Sequence, residues 1–177
     1  MQTYVALLYS IILGEGRRVV MSDLKAMAEG LGLKNVRTLV ATGNLVFEAR
    51  TARISDLEQR LEKAFEERFG RHVDILVRGA EDWLKLAAGN PFPADTGDQV
   101  AVRVMRQPVG ADAIPALQAR AAEDEKVLLV GGDIWLVFSR ERPSSRLLAA
   151  ANHKRLGIGT SRNWNTVRRL AEMVGRQ

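Results

Sequence analysis

Thr3–Ile12, TYVALLYSII, is a run of strand length with hardly a polar side chain. A strand that is apolar on both faces has to lie inside a sheet covered on both sides, so the chain needs a buried strand near its N-terminus. Gly14-Glu15-Gly16-Arg17-Arg18 then reads as a turn. Leu24, Met27, Ala28 and Leu31 follow at helical spacing, with Ser22 placed to cap that helix and Gly30 and Gly32 to stop it. Val36–Val40 and Leu45–Phe47 are rich in β-formers, and Ala41-Thr42-Gly43-Asn44 between them predicts a tight hairpin. Ser55 and Glu58 have the spacing of a capping box. They open an amphipathic helix that turns Leu57, Leu61, Ala64, Phe65 and Phe69 inward and ends at Gly70. Val73–Val77 is a further strand. The order β-α-β-β-α-β is that of a split βαβ, ferredoxin-like unit.

The second half repeats most of that order without repeating residues. A helix over Ala80–Ala88 leads into Asn90-Pro91-Phe92-Pro93 and the acidic stretch Ala94–Asp98, which place a lobe boundary between 1–90 and 91–177. Gln99–Met105 alternates Val100, Val102 and Val104, the pattern of a half-buried strand. Residues 111–122 read as helix with Pro115 in the first turn. Lys126–Val130, Gly131-Gly132 and Ile134–Phe138 predict a second hairpin, followed by two basic helices, Ser144–Leu156 and Asn163–Val174. The second half therefore reads β-α-β-β-α, with a helix where the first half has its last strand. The predicted fold class is α+β: two ferredoxin-like lobes, the second ending in two helices.

A length of 177 residues suits one compact domain or two small lobes. No apolar run approaches the roughly 20 residues that span a bilayer, so no membrane association is expected. Tyr4–Leu13 has no basic stretch before it and is not read as a signal peptide. The absence of cysteine removes disulfides, thiolate nucleophiles and cysteine-ligated metals, and a cytoplasmic bacterial protein is expected. Oligomeric state is left open. The net charge of +5 is unevenly spread. Residues 140–177 hold nine Arg or Lys against Glu141 and Glu172, a local +7, while the other 139 residues carry −2. A nearly neutral body with a basic end attracts phosphate-bearing partners.

The most unusual stretch lies in that basic end: Gly159–Leu170, GTSRNWNTVRRL. If a helix starts at Asn163, then Trp164, Val167, Leu170, Ala171 and Val174 form its core stripe. Arg162, Asn165 and Arg169 lie on the other side, with Arg168 near the Trp164 edge. Arg162 beside the unpaired N–H groups of a helix start, with Asn163 and Asn165 as amide donors, suits a phosphate or carboxylate. The plainer alternative is that Thr160, Ser161 or Asn163 caps the helix and Trp164 anchors it. Arg146 and His153, seven residues apart, would share a face of the preceding helix, and Ser144 and Ser145 would line the same cleft.

Beside a purely structural or protein-interaction role, for which exposed apolar surface would speak, two specific functions stay in competition. One is a binding module for an anionic or phosphorylated ligand, nucleic acid included, on Arg146, His153, Arg162, Asn163, Trp164 and Asn165. The other is a small enzyme acting on an anionic metabolite, with His153 as general acid or base or Ser145 at the centre, against which stands a plain solvated histidine. No catalytic set is legible. His72 reads as a loop residue, and neither it nor His153 has the acid spacing of a metal site, so no metal is expected. Gly14-Glu15-Gly16 lacks the third glycine of a dinucleotide loop and the Gly-Lys-Ser/Thr of a P-loop, so no cofactor is expected. Glu58, Glu62, Glu66 and Glu67 with Arg60, Lys63 and Arg68 read as solvating i,i+4 pairs.

Several stretches taken together carry a likeness. They are Tyr4-Val5-Ala6-Leu7-Leu8, Val36-Arg37-Thr38 with Thr42-Gly43-Asn44-Leu45-Val46-Phe47, Asn90-Pro91-Phe92, and Thr160 with Arg162-Asn163-Trp164-Asn165-Thr166-Val167. Over essentially its whole length the chain resembles the bacterial domain of unknown function 1697 family. The resemblance implies an α+β fold of two lobes and brings no established activity. The chain departs from the family pattern at Tyr9-Ser10-Ile11-Ile12-Leu13-Gly14, where members usually show Arg-Gly-Ile-Asn-Val-Gly. It also has Ser145-Arg146 where relatives tend to have Ser-Lys, which keeps the charge and changes its geometry.

Overall fold

The apolar N-terminal run is an inner strand. β1 (Gln2–Leu8) is buried from Thr3 to Leu8 and pairs antiparallel on one side with β5 (Asn44–Ala49) and on the other with β6 (Ile75–Gly79). The structure is a computed structural model and describes residues 1–39, 43–95, 97–139 and 145–175. It contains two compact units, Met1–Lys85 with Leu170–Gln177, and Leu86–Arg169.

In the first unit β1 is followed by a small hairpin, β2 (Ile12–Gly14) and β3 (Arg17–Arg18), turned through Glu15 and Gly16. Then come α1 (Met21–Gly30), β4 (Lys34–Leu39), β5, α2 (Ile54–Phe69), β6 and α3 (Ala80–Ala88). The sheet order is β4-β5-β1-β6 and every pairing is antiparallel. Tyr4, Ala6 and Leu8 of β1 join Phe47, Ile75 and Val77 in a core closed by Leu24, Met27 and Ala28 of α1 and Leu57, Leu61 and Phe65 of α2. The expected strand to Ile12 stops at Leu8. There Leu8 donates to the Gly43 carbonyl and Tyr9 to that of Asp74, and the Tyr9 side chain stands 56% exposed.

Two predicted caps are not formed. Val20 precedes α1 and Arg53 precedes α2, and neither helix start has a side-chain cap. Arg53 instead grips Asp56 through two N–H groups at 3.0 and 3.1 Å. Glu58, expected both in a capping box and on a solvated face, is buried, and its Oε2 accepts the Val77 N–H at 3.0 Å, tying α2 to β6. The β4–β5 hairpin forms, although Val40 of the predicted strand and Ala41 and Thr42 of its loop lie outside the described residues. Gly43 sits at φ +82, and a Cβ there would fall 2.8 Å from both Leu8 Cβ and Ile11 Cγ2. Gly43→Ala is therefore expected to cost about 1–3 kcal/mol, read as a lower midpoint in chemical denaturation.

In the second unit β7 (Val100–Met105) is followed by a 3-10 turn at Ala111–Ala113, α4 (Ile114–Gln118), β8 (Lys126–Val130), β9 (Asp133–Val137), α5 (Arg146–Ala151), a 3-10 turn at Lys154–Leu156 and β10 (Gly159–Asn163). α6 (Trp164–Gly175) follows, its residues up to Arg169 in this unit and those from Leu170 on in the first. The order β10-β7-β9-β8, again all antiparallel, repeats the first sheet strand for strand. Pro115 lies in the first turn of α4 and the Gly131-Gly132 hairpin is present, both as the residues predict. Four expectations change. The helix read over 111–122 is a 3-10 turn followed by α4 and ends at Gln118. Gly159–Asn163 is a strand, so the second lobe has the same six elements as the first, and the predicted helix over Ser144–Leu156 ends at Ala151. β7 is buried at all six positions rather than on one face, because Arg103, the polar member of its alternation, is bonded inside. Among the described residues, no helix is long and apolar enough to cross a membrane.

Candidate functional site

In β10 side chains alternate between the two faces of the sheet. Ser161 stands opposite Arg103 of β7, and Arg162 opposite Val102. The first pair faces the helical layer. Asn152, the residue after α5, accepts through Oδ1 from Ser161 Oγ at 2.6 Å and from Arg103 Nη1 at 3.2 Å, while Arg103 Nη2 donates to the Gly157 carbonyl at 3.3 Å. β10 lies so close to β7 that a Cβ on Gly159 would meet Met105 Sδ at 2.7 Å and the Val104 carbonyl oxygen at 2.8 Å. Glycine is required there by contact with the neighbouring strand.

Arg162 takes the opposite face and is 7% exposed. Its Nη1 donates to Thr160 Oγ1 at 2.8 Å and to the Ser161 carbonyl at 2.9 Å. Burial, which penalises the charged form, pushes its pKa down to about 10, so the guanidinium stays protonated at neutral pH. The residue read as a helix-start anion ligand is a buried cation inside a strand. Its alternation with Ser161 and the pairing with β7 send it inward, to the face it shares with Thr160.

The rest of the predicted set is distributed over three places. Arg146 opens α5 and is exposed. His153 lies beyond the C-terminal end of that helix, so the two do not share one of its faces. His153 Nδ1 accepts the Arg155 N–H at 3.2 Å and caps the 3-10 turn, which makes it the tautomer protonated at Nε2. Ser145 caps α5 through the Leu148 N–H and donates its hydroxyl to Glu125 Oε2 at 2.7 Å. Ser144 lies outside the described residues.

At the start of α6, Asn163 Oδ1 accepts the Thr166 N–H at 2.9 Å, a helix cap. Trp164 is half-buried with its ring centroid 6.1 Å from that of Trp135, tilted by 54°. Asn165 is exposed, and the connector passes so near that a Cβ on Gly97 would lie 2.5 Å from Asn165 Oδ1 and 3.2 Å from Trp164 Cδ1. Val167, Leu170 and Val174 are buried, as the stripe predicts.

What sequence reading missed is the buried polar work of this unit. Glu125 accepts from the N–H groups of Ser139 and Ala122 besides the Ser145 hydroxyl. Asp133 Oδ1 accepts the Met105 N–H at 2.9 Å. Apart from the local Ala122–Glu125 bond, these bonds join residues far apart in the chain, so no local spacing announces them. The other histidine, His72 of the first unit, has its pKa raised, first by its hydrogen bond to Asp74, with Glu62 and Glu66 adding to it against partial desolvation.

Two lobes of identical βαββαβ order define an α+β protein of tandem ferredoxin-like lobes. The chain belongs to the family described as "Protein of unknown function (DUF1697)", whose pattern matches residues 1–135. It is similar in fold to the conserved bacterial protein SP0830 from Streptococcus pneumoniae, at 22% identity and a TM-score of 0.71 over 98% of each chain. Among curated proteins, none matches the chain.

Proposed function

We propose that the second unit is a binding module for an anionic, phosphate-bearing ligand, nucleic acid included. One observation carries this reading: residues 145–169 contain no Asp or Glu, and five of their six cations, Arg146, Lys154, Arg155, Arg168 and Arg169, are exposed. Charges of one sign clustered along a stretch of surface set up a field that draws polyanions toward it, with Glu172 the first acid beyond the stretch. His153, Asn163 and Asn165 add polar groups to the same stretch, while Arg162 and Trp164 contribute as internal supports of β10 and α6.

Phosphate contacts release counterions, so binding of this kind weakens steeply with salt. Labelled single-stranded RNA, duplex DNA and a short polyphosphate, titrated by anisotropy, are expected to bind best at low salt. Engagement of about four phosphates implies a loss of roughly a hundredfold between about 50 and 200 mM salt. The double variant Lys154→Glu with Arg155→Glu is expected to weaken binding at least about tenfold and to leave the melting temperature unchanged, since both side chains are exposed. Absence of binding at low salt, or binding indifferent to charge reversal, contradicts the proposal. The alternative of a small enzyme finds its groups divided, with Arg146 and His153 at opposite ends of α5, Ser145 bonded to Glu125 and Arg162 inside the sheet.

A further inference from the structure

The last turns of α2 and the run leading into β6 bring a different set of groups together. Glu62 and Glu66 are one helical turn apart on α2, and His72 and Asp74 follow two residues apart beyond Gly70. His72 Nε2 lies 3.0 Å from Asp74 Oδ1 and 3.6 Å from Glu62 Oε2, so two carboxylates converge on one imidazole nitrogen. The ligand atoms of Glu62, His72 and Asp74 all lie within 4.8 Å of one another. A tetrahedral cation with bonds of about 2.0–2.1 Å holds its ligand atoms about 3.3–3.4 Å apart, which the two distances from His72 Nε2 bracket.

The surroundings favour the same geometry. Glu62 is largely buried, its side chain 14% exposed, and it projects from a helix packed on the sheet. The Asp74 backbone is held by the Tyr9 N–H, and Val73 between the two ligands is buried in the core. His72 Nδ1 faces a third carboxylate, Glu66 Oε2, at 3.9 Å. An imidazole that presents one nitrogen to a metal and the other N–H to an outer carboxylate is fixed in orientation and made more basic.

We propose that Glu62, His72 and Asp74 bind a divalent cation of the zinc class, with Glu66 as the outer carboxylate that orients the imidazole. Three protein ligands leave a fourth position open to water. One imidazole with two carboxylates suits zinc and its transition-metal neighbours, whereas magnesium prefers an octahedron of oxygens. This revises the expectation that two isolated histidines mean no metal. The acid spacing is absent from the local sequence because Glu62 reaches His72 across a helix end. The proposal concerns the first unit and is independent of the anion reading of the second.

Equilibrium dialysis of the full chain against zinc chloride, followed by metal analysis, tests it. About one zinc per chain is expected, retained in His153→Gln, lost in His72→Gln and Asp74→Asn, and weakened about tenfold in Glu66→Gln. Magnesium in excess is expected not to displace it. His72 is 52% exposed, so its replacement is compatible with folding, which the melting curve checks. In wild-type protein, zinc is expected to shift the His72 ring resonances and to leave those of His153 in place, a readout that needs no variant. Failure of the wild type to take up zinc, or uptake unchanged in both His72→Gln and Asp74→Asn, overturns the assignment.

Discussion

Trp135→Ala is expected to lower stability by about 3–5 kcal/mol, the range for truncating a fully buried large aromatic side chain. Trp135 is 1% exposed in the inner strand β9, with Val102 of β7 and Leu128 of β8 as its cross-strand neighbours. Urea denaturation at neutral pH reads the loss as a lower midpoint with unchanged slope. Trp164→Ala is expected to cost less, because that ring is half-buried. The double variant should reveal a coupling of about 0.5–1.5 kcal/mol, the usual value for an aromatic pair. Coupling near zero would mean that Trp164 is held for something other than packing on Trp135, and would return it to the list of ligand-contacting residues.

The second large effect is expected at Glu125. Its carboxylate, 7% exposed, is the shared acceptor for the Ala122 and Ser139 N–H groups and the Ser145 hydroxyl. Glu125→Ala leaves those three donors without their acceptor and is expected to cost about 2–4 kcal/mol. The pH dependence has a definite sign. Burial opposes ionisation of Glu125, but the hydrogen bonds from Ser145, Ser139 and Ala122 more than offset it and hold the pKa below the ordinary 4.5. A lowered carboxylate pKa contributes stability that is full above the unfolded-state pKa and is lost as pH falls through the folded-state value. The loss therefore begins as pH drops below about 4.5, where the unfolded chain starts to bind the proton first. Denaturation midpoints of wild type and Glu125→Gln should converge across that acidic window. Parallel curves would mean that folding leaves the proton affinity of this carboxylate unchanged.

The first lobe was legible because its signals are local and strong. The apolar run of β1, the stripe of α2 and the Gly43-Asn44 turn each state their role within a few residues. The fourth strand of the second lobe was hidden, since Gly159–Asn163 holds a single β-branched residue, Thr160, and two guanidine- or amide-bearing neighbours that look like a helix start. Its strand character comes from pairing with β7, about 55 residues earlier, and the clue available was topological: a second βαββα order lacks a partner for its first strand. The caps expected at Ser22 and Ser55 failed for a related reason. Both helices begin one residue earlier than the serine that looked like a cap, and Glu58 found a sheet N–H instead.

The candidate site divides along the same line. Exposure of Arg146 and His153 and the capping role of Asn163 follow from local features, and Asn163 as a cap was one of the two readings the residues allowed. The burial of Arg162 and the bonding of Arg103 to Asn152 depend on register between strands, and a one-residue shift would exchange the two faces.

Cross-strand NMR contacts across the last strand pair test most directly whether the guanidinium of Arg162 supports the fold or serves a ligand. Backbone contacts of Thr160 with Val104 and of Arg162 with Val102, with extended chemical shifts from Gly159 to Asn163, are the predicted result. Sequential amide–amide contacts typical of helix through those five residues, with Arg162 solvent-exposed, would contradict it.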